Sequence, residues 1–335
     1  MKSRTTRMLA LPLALALAAT TAASVAAQDD EAEAAETVAV SIRLPWFPGS
    51  QFAGSYVAQE KGFFAEEGLE VTINPGGFDT NSITLVAAGT DTFGMHDTNS
   101  LVFASVEEIP LVTVATFLQK HPGAIMALAE SGFETLEDLV GARIGFQEGG
   151  PWMLTQAMLV KNGIDPDSLE QQTIGFDLTP LLEGQIDLQT VFATTEPIIA
   201  DSMGVETTVF VPYDYGVETS ANALFTNKRF FDENPDVVCS MVRAMARGWE
   251  YVFENPDEAA EIVVAVDPDN LDPEIERNII AAMDGAVRTP DAMENGIGSM
   301  TEARWQTTVD VLRDFGGLEA EVDLGSVYSD ICFAE

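Results

Sequence analysis

Leu44-Pro45-Trp46-Phe47-Pro48-Gly49-Ser50-Gln51-Phe52-Ala53-Gly54-Ser55-Tyr56-Val57-Ala58 is the stretch whose reading decides the fold. It starts where an alternating strand pattern, Val38 to Leu44, stops. Two prolines and a glycine then interrupt the backbone, and a helical run continues through Gln59-Glu60-Lys61-Gly62-Phe63-Phe64. A Trp and a Phe are thereby set on a rigid strand-to-helix corner. In open α/β sheets, ligands bind at the carboxyl ends of strands. The alternative for Trp46 is a plug beneath the following helix.

Outward from this corner, strand and helix patterns alternate, which predicts a parallel, doubly wound sheet. Strands are expected at Val38–Leu44, Leu69–Asn74, Thr92–His96, Leu111–Phe117 and Ala124–Ala129. Helices are expected at Ser50–Glu66, Asn81–Ala88 and Asn99–Glu107. The turn Pro75-Gly76-Gly77-Phe78-Asp79 lets backbone approach a ligand closely. A second series follows Ser131-Gly132, with strands at Ala142–Phe146, Gln172–Phe176, Leu188–Ala193 and Thr207–Val211. Its helices are Trp152–Asn162, Leu178–Glu183 and Glu196–Met203. After a strand at Ala221–Phe225 the chain reads as helical to Gly316-Gly317. Trp249 and Trp305 lie among apolar neighbours at helical spacing and are expected in the core.

The economical architecture is two lobes, the second inserted into the first, with two crossover strands near Ala124–Ala129 and Ala221–Phe225. The expected boundaries are 38–130 for the first lobe, 131–222 for the second, and 223–335 for the return and C-terminal helices. The alternative is one large doubly wound domain. A cleft between two lobes suits hinge closure on a ligand.

The N-terminus reads as an export signal. Lys2, Arg4 and Arg7 precede an apolar run, Met8 to Ala19, and small residues lead to Ser24-Val25-Ala26-Ala27. Twelve apolar residues are too few to span a bilayer. Residues 1–27 are thus expected to be removed, and 28–37 to form a disordered acidic leader. With no Cys near the cut, no lipid anchor is indicated, and the product is expected in the periplasm or outside the cell.

Removal of Lys2, Arg4 and Arg7 leaves 13 basic against 54 acidic residues, a balance of −41. Such a charge repels nucleic acid and anionic membranes. It suits solubility in a salty medium, where screening over about 8 Å or less relieves self-repulsion. Cys239 and Cys332 are the only cysteines. In an oxidising compartment they would tie the C-terminal tail to a helix; two unpaired buried thiols are the alternative. Two Cys and two His offer no dense metal site, and no nucleophile elbow, Walker loop or zinc motif occurs. No cofactor is expected.

Several segments together resemble one family. Trp46-Phe47-Pro48, Phe52-Ala53-Gly54-Ser55-Tyr56-Val57-Ala58, Lys61-Gly62-Phe63-Phe64 and Gly68-Leu69 are similar to the opening of the SsuA/thiamin-pyrimidine-synthase-like proteins. Pro75-Gly76-Gly77, Val86 to Gly94, Leu139 to Gly145, Asp214-Tyr215-Gly216-Val217 and Arg247 to Ala259 continue the likeness in order. The resemblance implies a type II periplasmic-binding-protein fold. It also implies a monomeric solute receptor of an ABC importer, handing a small ligand to a membrane permease. Pyrimidine-precursor binders of this family carry an aromatic at the first corner, matched by Trp46, and an acid in the second lobe, matched by Glu196. Read from the residues alone, Glu196 is equally an acid in the first turn of a helix. The Trp-Thr-Pro-Asn pattern of that branch is Trp46-Phe47-Pro48-Gly49 here, and its His is Gln51. Related synthases carry a reactive lysine, that histidine and a cysteine cluster; this chain lacks the last two, so no enzyme activity is expected.

Strand ends should then present Trp46, Phe47, Gln51, Gly76, Gly77, His96, Asp97 and Phe117 from the first lobe. The second should present Gln147, Glu148, Trp152, Phe192, Glu196, Tyr213 and Tyr215, with one of the two tyrosines facing the interior. His96 is equally a satisfied core histidine, and Asp97 an N-cap. Aromatic faces stack on flat rings, and a carboxylate accepts charge-assisted hydrogen bonds from an amine. The set favours a heteroaromatic amine such as a thiamin pyrimidine precursor. Riboflavin, nitrate, taurine and alkanesulfonates are the rivals. Oxyanions need clustered cations, and only Arg43 and Lys120 lie near the first lobe's strand ends. The Gly-rich turn Phe146 to Trp152 could hold an anion on backbone N–H groups, but Glu148 opposes it and Pro151 removes a donor. An adhesive or structural secreted protein is the remaining class.

Overall fold

The computed structural model describes residues 37–147 and 149–333; the expected signal, the leader up to residue 36, and Glu148 lie outside them. In chain order the strands are β1 Val38–Arg43, β2 Leu69–Asn74, β3 Phe93–His96, β4 Leu111–Leu118, β5 Gly123–Leu128, β6 Arg143–Phe146, β7 Glu170–Thr173, β8 Leu188–Phe192, β9 Thr207–Phe210 and β10 Ala221–Asn227. They form two five-stranded sheets, ordered β2-β1-β3-β10-β4 and β7-β6-β8-β5-β9.

Within each sheet one inner strand, β1 or β6, runs parallel to both its neighbours, whereas the strand that arrives from the other lobe is antiparallel to both of its own. β1 pairs in parallel with β2 and β3, and β10 pairs antiparallel with β3 and β4. β6 pairs in parallel with β7 and β8, and β5 pairs antiparallel with β8 and β9. The same topology is thus built twice, with one strand exchanged each way. This is the two-lobed α/β architecture that the alternation implied.

The crossings fall earlier than the pattern suggested. β5 belongs to the second sheet, so the chain leaves the first lobe at Gln119–Pro122 rather than at residue 130. It returns just before β10, at Gly216–Ser220. The two passages are bonded to each other: the His121 N–H donates to the Thr219 carbonyl at 2.9 Å. Hydrophobic runs alone do not reveal which sheet a strand joins, because β4 and β5 are apolar on both faces.

The return is not confined to the first lobe either. The helix Glu302–Phe315 places Trp305, Val309 and Leu312 against Val102 of the first lobe. Its Val311 enters the second lobe's core beside Ile144, Leu159 and Leu188. The longest helix, Pro235–Glu254, buries Val238, Met241, Val242, Met245, Trp249 and Val252, the stripe expected of an amphipathic helix. Each large side chain so buried contributes roughly 1.5–3 kcal/mol. It meets Ala53–Glu60 so closely that a Cβ at Gly248 would fall 2.0 Å from the Gly54 carbonyl oxygen. Prolines open the return helices at Pro235, Pro256, Pro273 and Pro290, where a missing N–H costs nothing. The short helices Lys228–Glu233 and Pro290–Asn295 had no clear periodicity in the sequence. A disulfide joins Cys239 to Cys332, fastening the tail to the longest helix.

Candidate functional site

The carboxyl ends of β1, β2 and β3, and those of β6, β7 and β8, meet across the two passages. Trp46 and Phe47 stand at the end of β1, held by the Gly76 N–H, which donates to the Trp46 carbonyl at 2.9 Å. Gly76 has no room for a side chain: a Cβ there would lie 2.4 Å from Pro45 C and Trp46 N. Gly77 has φ +153° and sits under the Phe47 ring. Arg43 reinforces the corner by donating to Asp91 and to the Pro75 carbonyl, each at 2.8 Å. Its guanidinium is therefore engaged in fixing the loop.

Four aromatic rings gather here from both lobes. Trp46 lies edge-on to Phe47 at 5.5 Å and to Phe78 at 5.4 Å. Phe176, from the second lobe, approaches Trp46 to 4.5 Å and stacks on Phe78 at 4.9 Å. Phe78 and Phe176 were not among the expected site residues. The sequence pattern places Phe176 in a strand, but β7 ends at Thr173, which leaves Phe176 on the following loop, where it reaches Trp46 and Phe78. Gln147 holds that loop. Its amide nitrogen donates to the Gly175 carbonyl at 2.7 Å, and its oxygen accepts from Thr190 at 3.0 Å.

A polar cluster occupies the hinge side. Asp97 follows β3, and His121, buried in the first passage, places Nε2 3.3 Å from Asp97 Oδ2, an ion-pair distance without hydrogen-bond alignment. His121 Nδ1 accepts the Gly123 N–H at 2.9 Å, so in the neutral ring Nε2 carries the proton that faces Asp97. The His121 ring also meets Phe192 edge-on at 5.8 Å. Asp97 reaches across to the second lobe: a methyl group at Gly150 would lie 2.8 Å from its Oδ2. Burial raises the Asp97 carboxyl, but the charges of His121 and His96 outweigh this and leave it below the usual range. Burial drives the His96 imidazole down, and its Nδ1 accepts the Asp97 N–H at 2.9 Å.

Glu196 opens the helix Glu196–Ser202. Its carboxylate accepts the Phe192 N–H at 2.8 Å, and burial pushes it above the ordinary carboxyl range. Two residues on, Ile198 packs against the first lobe's core. Glu196 thus stands at the junction of the lobes.

Other expected residues are placed differently. Phe117 is 0% exposed; a Cβ at Gly298 in the C-terminal return would lie 3.0 Å from its ring. Trp152 is buried and stacks on Phe146 at 4.3 Å, inside the second core. Tyr215 packs on that core too, whereas Tyr213 faces Lys120, whose Nζ lies 5.4 Å from the ring centroid. Gln51 offers its carbonyl, which accepts from Asn222 Nδ2 at 2.5 Å. Asn222, the second residue of β10, lies in the left-handed region, φ 49°, and with His121 is not singled out by the sequence. Glu148 lies outside the described residues.

The fold and these corners define the class. Residues 49–259 match the NMT1/THI5-like family model, and the chain belongs to that family. It is 29% identical over 317 residues to the formylaminopyrimidine-binding protein of Halalkalibacterium halodurans, covering 91% of this chain and 92% of the relative. It is 26% identical over 299 residues to the riboflavin-binding protein RibY of Chloroflexus aurantiacus, 87% of this chain and 85% of that protein. A third relative, 4-amino-5-hydroxymethyl-2-methylpyrimidine phosphate synthase of Legionella pneumophila, is 26% identical over 234 residues, 68% of this chain and 74% of the enzyme. Among solved structures, the alkanesulfonate-binding protein SsuA of Xanthomonas axonopodis pv. citri bound to MOPS superposes with a TM-score of 0.67 at 14% identity, over 89% of this chain and 100% of that one. That last likeness establishes the periplasmic-binding-protein fold. No described helix is long and apolar enough to cross a membrane.

Proposed function

We propose that this protein is the exported receptor of an ABC importer and captures a small heteroaromatic amine between its lobes. The observation that carries the reading is the aromatic cluster shared by both lobes, with Trp46 and Phe176 at 4.5 Å. Such rings close on a flat ligand by stacking, each pair contributing about 0.5–1.5 kcal/mol beyond buried area. Glu196 supplies the polar end. A desolvated carboxylate with one backbone donor gains from an amine or protonated ring nitrogen, and charge-assisted bonds contribute about 1.5–3 kcal/mol. Trp46, Phe47 and Phe78 form the wall in the first lobe, with Phe176, Phe192 and Glu196 opposite. Gln147 acts through Phe176, and Gly76 and Gly77 through Trp46 and Phe47.

The relatives that bind a formylaminopyrimidine and riboflavin suggest a pyrimidine or a flavin as ligand. The importer's permease would receive it, the receptor acting as a monomer. A synthase activity like that of the Legionella relative is the second reading. It is disfavoured by Gln51, which stands where the synthases carry a histidine, and by cysteines that are joined in a disulfide. The test is the thermal midpoint of the purified protein with a formylaminopyrimidine, riboflavin, nitrate and MOPS. A saturable rise with one of the two heterocycles is expected. A rise with nitrate or MOPS alone would transfer the assignment to oxyanions.

A further inference from the structure

We propose that Asp97 sets the charge selectivity of the cleft: its carboxylate takes the place an anionic group of a ligand would need, so neutral or cationic heterocycles enter and their phosphorylated or sulfonated counterparts do not. This rests on the solute-receptor reading above.

The helix Gly150–Lys161 begins in the second lobe directly opposite Asp97. The first N–H groups of a helix lack intrahelical partners and carry partial positive charge, and although Pro151 removes one of them here, this is where a phosphate or sulfonate would be held. Asp97 Oδ2 is already there, close enough that even a methyl group at Gly150 would touch it at 2.8 Å. His121 Nε2 faces it from the other side at 3.3 Å, in a passage that joins the lobes.

Two further observations show a built polar site. Asn99 is 2% exposed, its Nδ2 would lie 3.6 Å from the same methyl group, and its Oδ1 has no hydrogen-bond partner. The Asp97 carboxyl lies below the usual range despite its burial, so its negative charge persists at neutral pH. Apart from the His121 ring, which presents Nε2 to Asp97, the cations near the strand ends are engaged elsewhere. Arg43 is paired with Asp91, and Lys120 lies over the Tyr213 ring. A ligand phosphate seated at this helix would meet a like charge, and specificity arises from repulsion as much as from contact.

The test uses two matched pairs of probes: 4-amino-5-hydroxymethyl-2-methylpyrimidine with its phosphate ester, and riboflavin with riboflavin 5′-phosphate. Affinities are measured by calorimetry for the mature protein and for Asp97→Asn. The wild type is expected to prefer the neutral member of whichever pair binds by about 100-fold, and D97N to narrow that ratio at least about tenfold. Equal affinity of the wild type for both members, or a ratio unchanged in a folded D97N, overturns the proposal and leaves the receptor reading standing. Failure of both proteins to bind any of the four probes removes the receptor reading, and the selectivity with it. Should D97N not fold, sulfate competition on the wild type decides: the neutral ligand must stay bound in excess sulfate, and displacement overturns the proposal.

Discussion

Trp46 of the first lobe and Phe176 of the second stand with ring centroids 4.5 Å apart, although the loops that carry them follow strands of different sheets. Neither can move with its own lobe without changing this contact. Under the proposed function the pair is both a wall of the site and a reporter of closure. Truncating Phe176 to Ala leaves the first lobe intact and removes one stacking face. Ligand affinity should fall about 10–30-fold while the thermal midpoint of the free protein moves by less than about 2 °C. Titration of F176A by calorimetry checks this.

Gly76 sustains the corner that carries Trp46. Gly76→Ala would drive a Cβ into the Pro45–Trp46 peptide at 2.4 Å, where only backbone can yield. A loss of about 2–4 kcal/mol in denaturant-derived stability is expected, with loss of ligand binding even where the variant remains folded. Gly89 provides the control, because nothing lies within 4 Å of a Cβ there, although its φ of +74° still strains Ala. G89A should cost only about 1 kcal/mol and keep binding.

Glu196 predicts a pH dependence of definite sign. Its folded-state pKa is raised by burial. Below the ordinary carboxyl value, near pH 4, both folded and unfolded states hold the proton and the group costs nothing. As pH rises, the unfolded chain ionises first, so stability is lost progressively up to the folded-state pKa. Glu196→Gln should therefore match the wild type near pH 4 and exceed its thermal midpoint at about pH 7–8. Affinity for an amine-bearing ligand should move the other way, falling about 10–100-fold at neutral pH. Thermal scans and ligand titrations across pH separate the two effects.

Reduction of the Cys239–Cys332 disulfide should lower the thermal midpoint by about 3–8 °C, reflecting about 2–4 kcal/mol from a constrained unfolded chain. The bond spans 93 residues and lies on the return. Ligand affinity of the reduced protein, measured well below its midpoint, should stay within about twofold of the oxidised form.

Much of this was legible in the residues. Alternating strand and helix patterns located nearly every element of both lobes, and the Pro-Trp-Phe-Pro-Gly corner set Trp46 and Phe47 just beyond the end of β1. Residues whose surroundings come from distant segments were harder. Phe117 ends a strand as a cleft residue would, yet a loop near Gly298 covers it. Trp152 sits beside a Gly-rich turn, but its ring finds Phe146. Phe176 escaped because an apolar residue after a strand reads as the strand's continuation, whereas β7 is short and exposed throughout. His121 lies between two strands that sequence placed in one lobe. Its role is visible only once β4 and β5 are seen to belong to different sheets.

The most direct measurement of the central claim is calorimetric titration of the mature protein and of Trp46→Ala with a formylaminopyrimidine and with riboflavin. The account predicts one-to-one binding of one of these by the wild type, with a negative heat-capacity change and an affinity at least about 30-fold weaker in W46A. Unchanged affinity in W46A, or no heat from the wild type with either heterocycle, would contradict it.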